Sequence, residues 1–194
     1  MTQSQVVAAS GKNITVNVSR AFSELRSVFA TMWAPTFNEN MAQWMKPWNF
    51  FYHPMARVDY HTTKGELEYQ LSIGSKVYPT FPIRSCTETY YQLTKCLGIH
   101  GSGVHSIDVD ADEFNYYKHV LGIDLERYLQ VPYTGVSTQS GSLMSLKIRS
   151  YDVNSHDDVV TSIPSTGSLC DTVYITCHYQ AAIVISSTGV ELYE

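Results

Sequence analysis

The sequence is short of charged residues and contains no cluster of basic ones. Charged residues make up 16% of its 194 residues, and 13 basic residues stand against 18 acidic ones for a net charge of −5. An ordinary globular domain has about 25% charged residues. Direct binding of nucleic acid requires several lysines or arginines facing phosphates. We therefore expect no direct nucleic-acid binding by this chain.

Long apolar runs are missing as well. No stretch of about 18 apolar residues occurs, so we expect no membrane span. The opening residues, MTQSQVVAASGKN, have neither the charged start nor the apolar core of a signal peptide, so we expect a protein that is not secreted. The four cysteines are scattered among apolar residues and are expected to be buried thiols without disulfides. They are Cys86, Cys96, Cys170 and Cys177.

Motifs for catalysis and metal binding are absent from the sequence. It contains no His-x-His pair, no G-x-S-x-G elbow and no glycine-rich phosphate loop before a helix. His100 and His105 lie in a glycine-rich turn with no third ligand to complete a zinc site. The segment DVDADEFNYYKH begins like a calcium loop, but Glu113 stands where glycine is needed, so we expect an acidic surface turn. We expect no enzyme, no cofactor and no metal site.

What the sequence does contain is strand patterning. Polar and apolar residues alternate in NITVNV and ELEYQLSIG, and period two returns in VHSIDV, YKHVLGI, SLMSLKIR, TVYITCHY, AAIVIS and GVELY. These segments are separated by turn signals and not by helices, which favours antiparallel sheets. The sequence therefore predicts an all-β fold, an antiparallel β-sandwich of the jelly-roll type. We expect a single domain over residues 1–194, with residues 1–12 as a flexible arm.

Two segments carry conflicting signals. In AFSELRSVFATMW, Phe22, Leu25 and Met32 fit helical spacing, whereas the later residues are strand formers. We predict a helical turn there that runs into a strand. In YPTFPI, two prolines are expected to end any strand or helix.

One short helix is predicted in a connection between strands, at residues 86–97. Ser85 is a suitable N-cap, and Glu88 three residues later completes a capping box. Gly98 can close the helix in the left-handed conformation. We expect an apolar face to pack on the sheet and cover an unprotected edge. Its predicted members follow helical spacing: Cys86, Tyr90, Leu93 and Leu97.

Aromatic residues are concentrated in an irregular segment early in the chain. They reach 12% of the sequence, with 14 tyrosines, and protein interfaces favour aromatics while depleting Lys and Glu. For Trp44 and Trp48, an interface between subunits and a loop folded over the protein's own core are alternatives that the sequence leaves open. The candidate interface residues of this segment and of the later turn VPYTGVST are Trp44, Trp48, Phe50, Phe51, Tyr52 and Tyr133.

A series of short motifs runs through the last two thirds of the chain. They are IGSKVYP followed by PIRS, the helix TETYYQLTKCLG, GIDLER followed by TGVST, and the closing STGVELY. Over residues 67–194 the chain thereby resembles jelly-roll viral capsid proteins, in particular those of the double-jelly-roll lineage of eukaryotic DNA viruses and virus-derived elements. A subunit with two rolls would be about twice this length, so the resemblance implies a single roll here.

The resemblance implies a structural virion protein that self-assembles through lateral contacts into the viral capsid shell. Its implied partners are copies of itself, in trimer or pentamer capsomers, and other capsid proteins. Its implied location is the virion, after synthesis in the host cytoplasm or nucleus. The alternative is a carbohydrate-binding, lectin-like β-sandwich module, for instance a virion surface or receptor-binding protein.

Overall fold

The described part of the chain forms two four-stranded antiparallel sheets, a separate two-stranded hairpin and two helices. The computed structural model describes residues 1–8, 11, 13–33, 51, 53, 66–100, 104, 106–116, 118–126, 135–139, 143–151, 170–186 and 189–193. The elements in chain order are β1 (Thr2–Ala8), β2 (Asn13–Val18), β3 (Glu24–Trp33), β4 (Glu66–Ile73), β5 (Lys76–Ile83), α1 (Cys86–Cys96), α2 (Ala111–Tyr116), β6 (Leu121–Asp124), β7 (Met144–Tyr151), β8 (Thr172–Gln180), β9 (Ala182–Ser186) and β10 (Gly189–Tyr193).

The strand order identifies the sandwich as a jelly roll. Sheet I has the order β1-β8-β3-β6, sheet II has the order β2-β7-β4-β5, and β9 pairs with β10. The first strand thus pairs with the eighth, the second with the seventh, the third with the sixth and the fourth with the fifth, all antiparallel. This nested pairing is one long antiparallel hairpin folded over into two sheets. The predicted fold class is confirmed.

The core lies between the two sheets and follows the period-two pattern of the sequence. In β2, Ile14, Val16 and Val18 are buried, and the residues between them are exposed. β8 alternates in the same way over its whole length. Burial of each such side chain contributes about 1.5–3 kcal/mol. A slip of one residue would turn the apolar set to solvent, so this alternation fixes the register of the strands.

Residues 2–8 form a strand, in contrast to the flexible arm predicted for residues 1–12. β1 pairs with β8 along its whole length. The amino-terminal nitrogen donates to the Tyr179 carbonyl oxygen at 2.7 Å, and Gln5 Nε2 donates to the Asn17 carbonyl oxygen at 3.1 Å. Backbone hydrogen bonds therefore hold this edge strand in place. Because such bonds do not depend on side chains, the apolar pattern of the sequence does not predict them.

The helical turn predicted before β3 is wrong, because a β-bulge produces the helical spacing. The register of β3 against β8 shifts between Leu25 and Ser27. Leu25 and Val28 are both buried in the core, three residues apart, although they belong to one strand. A bulge sets two residues of one strand opposite one of its partner. Here it imitates the i, i+3 spacing of a helix.

The prolines of YPTFPI do not end the strand as predicted. β5 includes both Pro79 and Pro82. It is the outermost strand of sheet II and pairs only with β4 among the described strands. An edge strand tolerates a residue without an N–H group on its solvent side.

Helix α1 forms where the sequence predicts it, with caps at both ends. Ser85 Oγ accepts the Glu88 N–H at 3.1 Å, and the Glu88 carboxylate accepts the Arg84 N–H at 3.2 Å. The carboxylate thus reaches one residue further back than a standard capping box requires. At the other end, Gly98 has a φ of 68° and donates its N–H to the Lys95 carbonyl at 2.9 Å.

α1 packs on β6, the edge strand of sheet I, and of the predicted apolar face only Leu93 is buried. A Cβ atom on Gly122 of β6 would lie 3.2 Å from Leu93 Cα, so the helix backbone rests directly on the strand. Tyr69 Oη donates to the Gly122 carbonyl at 3.2 Å and ties sheet II to the same point. The buried residues of α1 are Thr89 and Leu93, whereas Leu97 is 49% exposed. The helix can approach the strand this closely because Gly122 has no side chain. Leu97 remains at the surface.

The acidic segment predicted as a surface turn contains the second helix, α2. Asp110 Oδ1 accepts the Glu113 N–H at 2.7 Å, and the Asp110 carbonyl accepts the Phe114 N–H at 3.0 Å. Asp110 is therefore the N-cap of α2. Residues 106–109, predicted as part of a strand, are irregular. No helix in the described part of the chain is long and apolar enough to cross a membrane.

Replacing the N-cap of α1 tests how much this helix contributes to stability. We expect Ser85→Ala to lower the free energy of unfolding by about 1 kcal/mol, because the Glu88 N–H loses its acceptor. Thr87→Ala, at an exposed position of the first turn without a capping contact, is the matched control and should change stability little. Urea denaturation followed by circular dichroism measures both. Equal effects of the two substitutions would contradict the role of the cap.

Candidate assembly surface

Five of the six predicted interface residues lie outside the described residues. These are Trp44, Trp48, Phe50, Tyr52 and Tyr133. The sixth, Phe51, is 44% exposed, and its carbonyl oxygen accepts the His119 N–H at 2.7 Å. The end of the aromatic segment therefore lies against the chain that leads from α2 into β6. The interface assigned to the six residues stays a prediction.

A buried histidine pair fixes this contact. His53 and His119 are both buried, and their ring centroids lie 4.3 Å apart in an edge-to-face arrangement. His119 also packs against Phe114 of α2 at 5.0 Å, and Phe114 meets Tyr90 of α1 edge-on at 5.2 Å. Four aromatic rings thus connect residue 53, α2 and α1 into one packed cluster.

The two histidines are held in the neutral form. Burial lowers the pKa of His119 to about 4, against a small opposing effect of the Phe114 backbone. Burial, reinforced by the neighbouring His119, also lowers the pKa of His53 well below its ordinary value. Neither ring nitrogen of His119 has a hydrogen-bond partner of good geometry among the described residues. The pair therefore packs as uncharged rings at neutral pH.

Strand β5 carries a bulge that presents an aromatic side chain to solvent. Tyr69 of β4 lies opposite Ile83, but Leu71 lies opposite Tyr78, so residues 79–82 stand against the single residue between them on β4. That residue, Gln70, supports the bulge, because its Nε2 donates to the carbonyl oxygens of residues 79 and 80 at 2.9 and 3.3 Å. Phe81, between two prolines, is 80% exposed.

Phe81 is one of several large apolar side chains exposed around β5 and α1. The others belong to β5 itself, to the outer side of α1, to the connection between α1 and α2, and to the segment held by His119. We call this set the assembly surface. Its members are Phe51, Val77, Phe81, Tyr91, Leu97 and Val104. Exposed large apolar residues elsewhere in the described chain are Met1, Val6 and Leu143. Large apolar side chains exposed at the surface of a protein are candidates for sites of association.

A cavity of about 290 Å³ opens between the two helices. Its walls are mainly apolar, and it is at the lower end of the range of ligand pockets, about 300–1,000 Å³. The lining residues are Cys86, Thr87 and Tyr90 of α1, Ala111 and Phe114 of α2, and Val109 just before α2. The Tyr90–Phe114 ring contact ties this cavity to the histidine pair.

Burial raises the pKa of three of the four cysteines. None of the four, all within the described residues, is in a disulfide. Burial raises the pKa of Cys170 and Cys177 to about 12, and it likewise raises the pKa of Cys96. These three thiols are therefore protonated at neutral pH and poor nucleophiles. Cys86 is half-buried at the edge of the cavity. In the described part of the chain, no group of three or more His, Cys, Asp or Glu residues could hold a metal ion.

Reasoning from the sequence missed the bulge, the histidine pair and the cavity. A signal for the bulge was present, since two prolines flank an aromatic residue within a strand-forming segment. The histidine pair joins residues 53 and 119, which no local pattern connects. The cavity depends on α2, and the sequence predicts a surface turn in place of this helix.

Comparisons with models of known protein families, with curated proteins and with solved structures gave no match. The resemblance to jelly-roll capsid proteins therefore stays a prediction from the sequence motifs.

The histidine pair predicts that the fold loses stability in acid. An unfolded histidine has a pKa near 6.5, and in the folded protein that of His119 is lowered to about 4. The unfolded chain therefore takes up the proton first. The free energy of unfolding should fall as the pH drops below about 6.5 and level off below about 4, with a total loss on the order of 3 kcal/mol from this group. Urea denaturation at a series of pH values between 7 and 4 measures it.

His119→Phe should retain the packing and remove much of this pH dependence. His100→Phe is the matched control, since His100 is exposed beside Tyr91 and the substitution should leave the dependence as in the wild type. An unchanged pH profile in His119→Phe would show that other groups control acid stability.

Proposed function

We propose that this chain is a structural virion protein that assembles with copies of itself, and with other capsid proteins, into a viral capsid shell. The observation that carries the proposal is the assembly surface on a jelly roll. The jelly roll is an architecture of capsid proteins, lectins and cupins. Because one fold serves several functions, the exposed side chains decide between them.

The assembly surface has the composition of a contact between proteins. It combines three exposed aromatic rings with three exposed aliphatic side chains: Phe51, Phe81 and Tyr91, and Val77, Leu97 and Val104. Aromatic residues are enriched at the centre of interfaces. Together with the low charge of the whole sequence, this surface favours lateral contacts that bury apolar side chains between copies.

The charge of the chain supports a shell that does not itself bind the genome. With 13 basic residues against 18 acidic ones, it has no excess of cations to neutralise phosphates. Other capsid components would make the contacts with nucleic acid. The proposed location is the virion, after synthesis in the host cytoplasm or nucleus.

Light scattering coupled to size-exclusion chromatography, followed by electron microscopy, tests the proposal. We expect capsomers or closed particles at micromolar concentration. The double variant Tyr91→Ser, Leu97→Ser should raise the concentration needed for assembly by about tenfold or more, because each side chain in such a contact contributes about 1 kcal/mol or more. Its melting temperature should stay close to that of the wild type, since both side chains are exposed.

The matched control is Val6→Ser, Leu143→Ser, which removes two exposed apolar side chains outside the assembly surface and should leave assembly unchanged. A wild-type protein that stays monomeric at high concentration would contradict the capsid function. Binding of that monomer to glycans would instead support the lectin-like alternative.

A further inference from the structure

Phe81 is held away from its own domain by the bulge in β5. The residues on either side of it are constrained, because Gln70 binds the carbonyl oxygens of Pro79 and Thr80 and Pro82 follows directly. Two residues beyond Phe81, Ile83 is fully buried and anchors the end of the strand. The ring is thus an exposed projection on a supported backbone, and little conformational freedom of the main chain is lost if it docks.

The cavity between α1 and α2 begins five residues after Phe81 in the chain, at Cys86. Both features lie at the same edge of the sandwich, because Ile83 of β5 pairs with Tyr69, and the Tyr69 hydroxyl binds Gly122, on which α1 rests. A neighbouring copy that approaches this side can contact the projection and the cavity together. Isologous contacts, in which the same two features meet twice, and ring-like contacts, in which they meet once per subunit, are both compatible with this placement.

We propose that Phe81 of one copy inserts into the α1–α2 cavity of a neighbouring copy. This inference rests on the proposed function and names the contact through which the copies associate. The cavity, at about 290 Å³, suits a single aromatic side chain better than a drug-sized ligand. Tyr90 and Phe114 in its wall, already edge-to-face with each other, offer further aromatic partners to the incoming ring.

The charges around the two features are complementary. On β5, Lys76 is exposed, whereas Arg84, just beyond the strand, is paired with Glu68 at 2.6 Å. Around the cavity, Asp108 and Asp110 are exposed on either side of the lining residue Val109. Attraction between the exposed Lys76 of one copy and the acidic rim of the next favours the approach of two copies.

Directed cross-linking tests the contact. A tagged Phe81→Cys, Cys86→Ser chain, which has no thiol in its own cavity, is co-expressed with untagged wild-type chain. After assembly under reducing conditions, the sample is oxidised with copper-phenanthroline. We expect a disulfide between position 81 of the tagged chain and Cys86 of the wild-type chain, seen as a heterodimer on a non-reducing gel and assigned by mass spectrometry. The other three cysteines are mostly buried and should contribute little.

Two controls accompany the cross-link. Replacing the wild-type partner with Cys86→Ser should abolish the heterodimer. A tagged Val6→Cys, Cys86→Ser chain, with its thiol at another exposed position, on β1, should form no disulfide with Cys86. Equal cross-linking from positions 6 and 81 would show random collision and overturn the proposal.

Two substitutions test the contact without a cross-link. Phe81→Ala removes the projection, and Ala111→Phe fills the cavity from an exposed position. Each should raise the concentration needed for assembly by about thirtyfold, the effect of a central interface residue worth about 2 kcal/mol. Both variants should fold, as circular dichroism and melting temperature will show.

The results of these assembly experiments distinguish a failure of the proposed Phe81 contact from a failure of the proposed capsid function. If the wild type assembles and Phe81→Ala assembles equally well, the capsid function stands and the contact is wrong. If only Ala111→Phe weakens assembly, another side chain or a small apolar ligand occupies the cavity, and the assignment of Phe81 is wrong. A wild type that never assembles overturns both proposals.

Discussion

The contact between α1 and β6 determines where most features of the assembly surface lie. It depends on Gly122, since any side chain there would meet the backbone of α1 near Leu93. At the same place the Tyr69 hydroxyl joins sheet II to β6, and Lys95 pairs with Asp124 at 3.5 Å. With the helix held this close, its opposite side is presented to solvent and its first turn forms one wall of the cavity. The close approach at Gly122 therefore determines where α1 lies and which of its sides faces solvent.

The sequence predicts those parts of the fold that depend on local patterns. Alternation identifies β2, β4 and β8, and cap chemistry at Ser85 and Gly98 identifies α1. It fails where tertiary context overrides local pattern. The bulge at Leu25 gives the apolar residues of β3 a helical spacing. β1 is held by backbone hydrogen bonds to β8, which the side-chain pattern of β1 does not predict. The nested strand order, which defines the jelly roll, follows from pairings across most of the chain that no local pattern specifies.

Less of the candidate site could be predicted, because its parts come from distant segments. Aromatic composition predicts an interface in the region before β4, and Phe51 is the one predicted interface residue in the described part of the chain. The pairing of His53 with His119 brings together residues that no spacing rule relates. The exposure of Phe81 is not predicted, because the prolines near it predict the end of a strand. At a sheet edge they instead accompany a bulge.

The same prolines have a consequence for the way sheet II ends. An exposed strand edge with regular amide groups recruits further strands, which is how many β-proteins form fibres at high concentration. Pro79 and Pro82 have no amide hydrogen, and the bulge turns the intervening backbone out of register. Sheet II therefore cannot continue from one molecule into the next across β5. Crowded copies can meet there through side chains without polymerising into an endless ladder.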